Sequence, residues 1–372
     1  MNTTTKRRLK GYSFEISESW IRPTSEIVSH SLLLRTTRNC PWGLCKFCEC
    51  YKKKEFEYRS VDEIKHDIDM AREILDQIKI LTKKLGKSRV DVELSRLYNK
   101  PSTELGQDEL ENLYSSRIVF NWYCSGARSV FLQDADSLTM HTDDLIEVLE
   151  YLKQTFPSIN RISTYTRART LVEGKTLGDL KDLHEAGLSR CHVGLESGDD
   201  QVLKRINKGI NSVGHIIGGR KAKKACLELA EYVMPGICGR DRLEEHAKRT
   251  ALVLNKIRPN FIMFRPYVPR KNTPLFEEYK KGNFQLTSPH ERLRELKILI
   301  NDLDTKTRVC FDQPVMNSWY TSPDHNQHLF KWDPEGYKFP DEKEKILKLI
   351  KKGLTLDESA HIHAKDLIKQ HF

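Results

Sequence analysis

Four of the chain's nine cysteines, Cys40, Cys45, Cys48 and Cys50, fall within eleven residues of a stretch that also holds Pro41, Gly43, Lys46 and Glu49. A core cysteine behaves as a small hydrophobe and is usually solitary on the apolar side of a periodic pattern. Pro, Gly and charged neighbours are instead loop chemistry. Clustered thiolates in a loop point to metal. Zinc takes four ligands in a tetrahedron, usually as two short pairs separated by a longer span. Here the first three cysteines stand at intervals of five and three, with a crowded fourth two residues on. That spacing fits better a cubane iron–sulfur cluster held by three thiolates, with one iron left open. A disulfide is the third alternative.

The loop needs a frame. Residues 29–37 read as a buried strand that runs straight into it, and five further strands follow at 129–134, 161–166, 191–196, 230–234 and 261–266. Between them lie helical patterns. Ser60 to Glu63 is a capping box opening a helix with Ile64, Ile68, Ala71, Leu75 and Ile78 on one face. Thr142 caps another, Gly187 closes a third, and Lys221 to Leu229 reads as a fourth. Strands alternating with helices imply an α/β fold with a parallel sheet, and six such units suggest a partial (β/α)6 TIM-like barrel. In such folds chemistry gathers at the C-terminal ends of strands. The cysteine loop, Gln133 to Asp136, Glu196 to Gly198 and Pro235-Gly236 all fall at those ends. Residues 1–28 read as an N-terminal lead-in, 29–280 as the barrel with a charged insertion at 83–115, and 281–372 as a helical and irregular C-terminal extension. Within that extension Ser288, Pro289 and Glu291 open a helix.

At 372 residues, 38% hydrophobic and 31% charged, the chain has the composition of a soluble globular protein, and its longest apolar run is four residues, too short for a transmembrane helix. No apolar segment follows the basic start, so no secretory signal is expected. A reducing cytoplasm is the expected compartment, and there clustered cysteines mean metal or redox chemistry rather than disulfides. The net charge of +10 is spread along the chain, which permits nucleic acid or an anionic substrate without selecting either.

With these motifs in order, residues 30–275 resemble the radical S-adenosylmethionine (SAM) superfamily. Cys40, Cys45 and Cys48, with Phe47 before the third, resemble its cluster-binding loop, although four residues rather than the common three separate the first two cysteines. Val193 to Gly198 followed by Val202 to Gly209 is similar to the fourth-strand region of the coproporphyrinogen-dehydrogenase-like and Elongator-like branches. Val233 to Gly236 resembles their fifth strand, and Pro266 to Pro269 with Thr273 to Leu275 their sixth. Cys50 resembles the extra cysteine of the first branch, which is not a cluster ligand.

The resemblance implies a [4Fe–4S] cluster on Cys40, Cys45 and Cys48, with SAM on the open iron. It implies reductive cleavage of SAM to a 5′-deoxyadenosyl radical that abstracts hydrogen from a substrate the sequence does not name. Glu196 would take the ribose hydroxyls, Lys208 the methionine carboxylate, and the backbone at Gly236 and around Tyr267 the adenine. Where the family carries a glycine-rich turn this chain has Gln133 and Asp134, so that Asp134 offers a carboxylate to the SAM ammonium. An electron donor such as flavodoxin or ferredoxin is implied as partner. Arg167 and Arg169, after the third strand, are candidates for an anionic substrate or for a solvated loop. Cys124, Cys191, Cys226, Cys238 and Cys310 read as core or incidental, and His325 and His328 as an exposed loop. The rival readings are a radical SAM enzyme acting on RNA and a non-catalytic zinc-binding protein that uses all four loop cysteines.

Overall fold

The computed structural model describes residues 12–17, 22–99, 105–311 and 328–369. The chain divides into two compact units. The first comprises residues 1–38, 56–165 and 182–189, and the second 39–55, 166–181 and 190–372.

In the first unit, β1 (Leu32–Arg35) leads into a short antiparallel pair, β2 (Thr37–Arg38) and β3 (Glu57–Tyr58). β4 (Ser129–Gln133) lies between β1 and β5 (Arg161–Thr166), parallel to both, with Leu33 opposite Phe131 and Phe131 opposite Ser163. Leu32, Leu33, Leu34, Val130, Phe131 and Leu132 are all buried. Their unbroken apolar runs are what a parallel strand covered on both faces requires. The Val61–Leu85 helix begins at the expected capping box, Ser60 accepting from the Glu63 N–H while the Glu63 carboxylate accepts from the Ser60 N–H. It buries Ile64, Ile68, Ala71, Leu75 and Ile78, the face that the spacing marks. The charged stretch after it forms helices Lys87–Tyr98 and Gln107–Cys124.

The second unit continues the strand–helix alternation with β6 (Leu188–Glu196), β7 (Glu228–Val233), β8 (Phe261–Phe264) and β9 (Thr307–Phe311), parallel in that order. β10 (Tyr337–Phe339) pairs antiparallel with β9. The architecture is therefore mixed α/β on a mainly parallel sheet, as the alternation implies. In the main sheet two described strands, β9 and β10, go beyond the six read from sequence, and β3 lies outside them as well. Thr307–Phe311 escaped because its apolar core, Val309-Cys310-Phe311, is short and runs into proline-rich chain.

Boundaries differ as well: the first strand, read over 29–37, is β1 (Leu32–Arg35) followed by the separate β2 (Thr37–Arg38). Thr142 is the first residue of its helix rather than its cap, which is His141. The helix read over Lys221 to Leu229 spans Ser212–Lys224, its start set by Asn211, whose side chain accepts from the Gly214 N–H. Gly214, Gly218 and Gly219 weaken the helical signal there, and Glu228 onward is β7. The Pro289–Asp302 helix starts at the expected Ser288 capping box. No described helix is long and apolar enough to cross a membrane.

Candidate metal and cofactor site

The second unit holds the cysteine loop together with Glu196, Lys208, Gly236, Tyr267, Arg167 and Arg169. Its construction begins with backbone. The Lys46 N–H donates to the Ile206 carbonyl at 2.8 Å, and the Lys46 carbonyl accepts from the Leu275 N–H at 3.0 Å. Trp42 Nε1 donates to the Asn207 carbonyl at 2.8 Å, and Asn207 Nδ2 donates to the Leu44 carbonyl at 3.3 Å. The loop is thus laid against the 206–209 turn that carries Lys208. Gly209, at φ +78°, lets the Trp42 ring sit where a Cβ would come within 2.6 Å of it. Arg167 and Arg169 lie over that ring, 5.0 and 5.8 Å from its centroid. Arg167 also donates to the Lys208 carbonyl at 2.8 Å, and Arg169 pairs with Glu173 at 2.7 Å. Both arginines therefore brace the loop.

The loop presents its sulfurs to N–H groups in a repeating way. Cys40 Sγ accepts from the Trp42 and Gly43 N–H groups, and Cys48 Sγ from those of Cys50 and Tyr51. Each such bond favours thiolate. Burial opposes it: the Cys40 thiol is pushed up, and that of Cys45 up to about 11, in spite of the opposing charges of Lys208 and Arg167. Cys48 is held well above the usual thiol range, first by a hydrogen bond with the Cys50 side chain and then by burial. Cys50 is therefore a neighbour of Cys48. Half-buried sulfurs ringed by N–H donors require a cation before they ionise, and a metal cluster supplies one.

Among the described residues, Cys238, His246 and Glu295 form a group whose donor atoms all lie within 4.8 Å of one another.

Beside the sulfurs is a buried ion pair, Lys208 Nζ to Glu196 Oε1 at 2.9 Å. Burial alone would lower Lys208, but the charges of Glu196 and Cys45 outweigh it and hold the ammonium above its ordinary range. Lys208 and Cys45 each shift the other's proton affinity, so thiols and ion pair form one electrostatic cluster. Gly194 makes room for it, since a Cβ there would collide with the Glu196 carboxylate and approach Lys208 Nζ to 2.8 Å. Glu196 itself has left-handed backbone, φ 61°, at a register shift between β6 and β7.

Three strand ends are stitched together here. The Glu196 carbonyl accepts from the Met234 N–H at 3.0 Å, and the Pro235 carbonyl accepts from the Tyr267 N–H at 2.8 Å. Tyr267 is buried edge-on to Phe284, its hydroxyl raised by burial and by Glu278.

Several residues here gave no sequence signal. Trp42 is marked out by its two arginine neighbours and its bond to Asn207. His215 is fully buried and held well below the ordinary imidazole range by burial, then by Lys208 and Arg167. Glu231 is fully buried in β7 and held well above the carboxylate range by burial, while Lys208 pulls the other way. Neither its carboxylate nor the His215 ring has a hydrogen-bond partner among the described residues.

Gln133 and Asp134 belong to the first unit. Asp134 Oδ2 accepts from Arg35 Nε at 2.6 Å and its other oxygen from the Ser17 hydroxyl, while Gln133 Oε1 accepts from the Ser17 N–H at 3.3 Å. Arg35 also pairs with Glu15 at 2.7 Å. The end of β4 is thus tied down by residues 15–17. Of the remaining cysteines, Cys191, Cys238 and Cys310 are buried and Cys124 and Cys226 exposed. His328 is exposed, and His325 lies outside the described residues.

No protein-family model matches the chain, and no curated protein matches it in sequence. Solved structures do match in fold. Archaeal Elp3 from Methanocaldococcus infernus matches at TM-score 0.43 and 16% identity over 61% of this chain and 55% of that one. Methylornithine synthase gives 0.44 and 12% over 75% and 63%. Coproporphyrinogen III oxidase from Escherichia coli, a radical SAM enzyme, gives 0.43 and 14% over 78% and 58%. The match spans less than two thirds of the length of each of these three chains.

Proposed function

We propose that this chain is a radical SAM enzyme that holds a [4Fe–4S] cluster on Cys40, Cys45 and Cys48 and cleaves SAM reductively. The observation that carries the proposal is the single electrostatic cluster in the second unit, in which N–H-cradled thiols adjoin the buried Lys208–Glu196 pair. When bound, the cluster would supply the electron that breaks the C5′–S bond of SAM and releases methionine and a 5′-deoxyadenosyl radical.

The protein's own residues do the rest. Lys208, a point charge already poised beside a carboxylate, is suited to receive the methionine carboxylate. Glu196, released from part of its pairing, accepts from ribose hydroxyls. Gly236 and Tyr267 offer backbone to the adenine. The buried walls around these groups would shield a reactive radical from side reactions. Cys50 serves Cys48 by hydrogen bond. The electron would come from a carrier such as flavodoxin or ferredoxin, and a reducing compartment suits nine free thiols.

Anaerobic purification and cluster reconstitution test the proposal. The expected protein is brown, with about four irons and four sulfides per chain, and yields 5′-deoxyadenosine from SAM under strong reductant. Cys45→Ala should abolish both. A colourless protein that retains one zinc per chain and does not cleave SAM would overturn it.

A further inference from the structure

We infer that Glu295 and His246 are positioning residues that hold the strand ends Glu196 and Gly236 in the geometry SAM needs. The inference rests on the role given to those two strand ends in the proposed function.

Glu295 comes from the Pro289–Asp302 helix and His246 from the Leu243–Ile257 helix, and both are buried. Glu295 Oε1 stands 2.6 Å from His246 Nδ1. The same carboxylate accepts from the Gly236 N–H, at 3.0 Å through Oε2 and 3.3 Å through Oε1. The other nitrogen of the ring, Nε2, faces the Glu196 carbonyl at 3.4 Å. One carboxylate therefore reaches one strand end directly and the other through the imidazole.

Glu196 is the end that needs support. Its left-handed backbone, φ 61°, is one that a non-glycine residue seldom adopts unaided, whereas Gly236, at φ 83°, takes it freely. The Gly236 N–H and the Pro235 carbonyl share one peptide plane. Fixing that N–H on Glu295 also aims the carbonyl at the Tyr267 N–H, 2.8 Å away. Three of the four positions assigned to SAM, Glu196, Gly236 and Tyr267, thus depend on one carboxylate. A carboxylate buried between helices and sheet is a poor way to gain stability, since apolar residues of similar volume would serve as well or better. Its worth lies in direction.

Cys238 also lies near this pair, so the three could be read as a metal site. Each donor already has a hydrogen bond that explains its place, Cys238 donating to the Gly239 carbonyl at 3.1 Å.

The test uses the cluster-reconstituted full chain and compares wild type, Glu295→Ala, Glu295→Gln, His246→Gln and Leu299→Ala. Leu299 is a buried residue on the same helix outside the network. Iron content, SAM affinity and deuterium uptake at the Gly236 amide are read together. Glu295→Ala should weaken SAM binding about tenfold or more, keep its iron and exchange faster at Gly236. His246→Gln should weaken SAM binding to a lesser degree. Glu295→Gln should recover most of the affinity, because its amide oxygen still accepts from Gly236. Leu299→Ala should lower the melting temperature without either effect.

Equal SAM affinity in wild type and Glu295→Ala overturns the inference alone. So does an equal loss in Leu299→Ala, which would reduce the pair to packing. Stoichiometric zinc that survives Cys45→Ala and is lost in Glu295→Ala also overturns it, by making the group a metal site. A wild type that binds no SAM overturns the proposed function and takes the inference with it.

Discussion

Asp134 follows β4 at φ 42° and Glu196 closes β6 at φ 61°, and both carboxylates are buried against a cation. At Asp134 the cation is Arg35, whose planar guanidinium is itself held by Glu15, and a serine hydroxyl takes the second oxygen. Arg35, Glu15 and Ser17 all come from the same compact unit as Asp134. At Glu196 the cation is a lysine, a single charge on a flexible stem, and its other neighbour is the thiol of Cys45. The first arrangement is a closed lock. In the proposed function the second would exchange partners, an incoming carboxylate taking over Lys208 and leaving Glu196 free for hydroxyls. A carboxylate at a strand end is thus a functional candidate only when its partner can let go.

The contrast can be broken at either end. The largest effect is expected at the open pair. Lys208→Met leaves Glu196 buried without its charge partner and should cost about 3–5 kcal/mol, read by denaturant unfolding, together with SAM cleavage. Adding Glu196→Gln should restore much of the stability and none of the cleavage. If the double variant cleaves SAM, the pair is structural like that of Asp134.

At the closed lock, Asp134→Asn removes charge from bonds with Arg35 and Ser17 and should cost about 1–3 kcal/mol, while SAM affinity stays near that of wild type. A large loss of affinity at unchanged stability would return Asp134 to the role that the family resemblance implies.

Glu231 sharpens the same point through pH. Its folded-state pKa is raised by burial, so the unfolded chain gives up this proton first and stability falls as pH rises above the ordinary glutamate range. Glu231→Gln should therefore be more stable than wild type at neutral pH, with the advantage vanishing below about pH 4, as thermal melts across pH would show. The smallest effect is expected at Arg169. Its pair with Glu173 is an exposed i,i+4 bridge, so Arg169→Ala should cost about 0.5 kcal/mol or less and leave iron content intact, whereas a substrate-binding arginine would show in turnover.

The contrast also explains what could be read from sequence. The stretches holding Cys40, Cys45 and Cys48 and holding Glu196 and Lys208 could be singled out because each is a contiguous motif, and the structure brings them together in one unit. The Val61–Leu85 face and the Ser288 cap were legible for the same reason, being local patterns of period and capping. The lock on Asp134 was not, because Glu15 and Ser17 lie in a stretch with no periodicity. Nor were Trp42 with its two arginines, or His246 with Glu295, because their partners meet only in three dimensions. β9 was missed because three apolar residues before a run of prolines give too little signal.

The hydrogen bonds of Lys46 reach forward along the chain to Ile206 and Leu275. During synthesis, then, the cysteines emerge long before the segments that hold their loop. Until residues 206 and 275 have left the ribosome the loop lacks both contacts and is held by local ones such as the β2–β3 pair. With the proposed cluster on this loop, iron would be best delivered to a finished chain, and expression conditions that slow folding relative to metal uptake should yield protein loaded with the wrong ion.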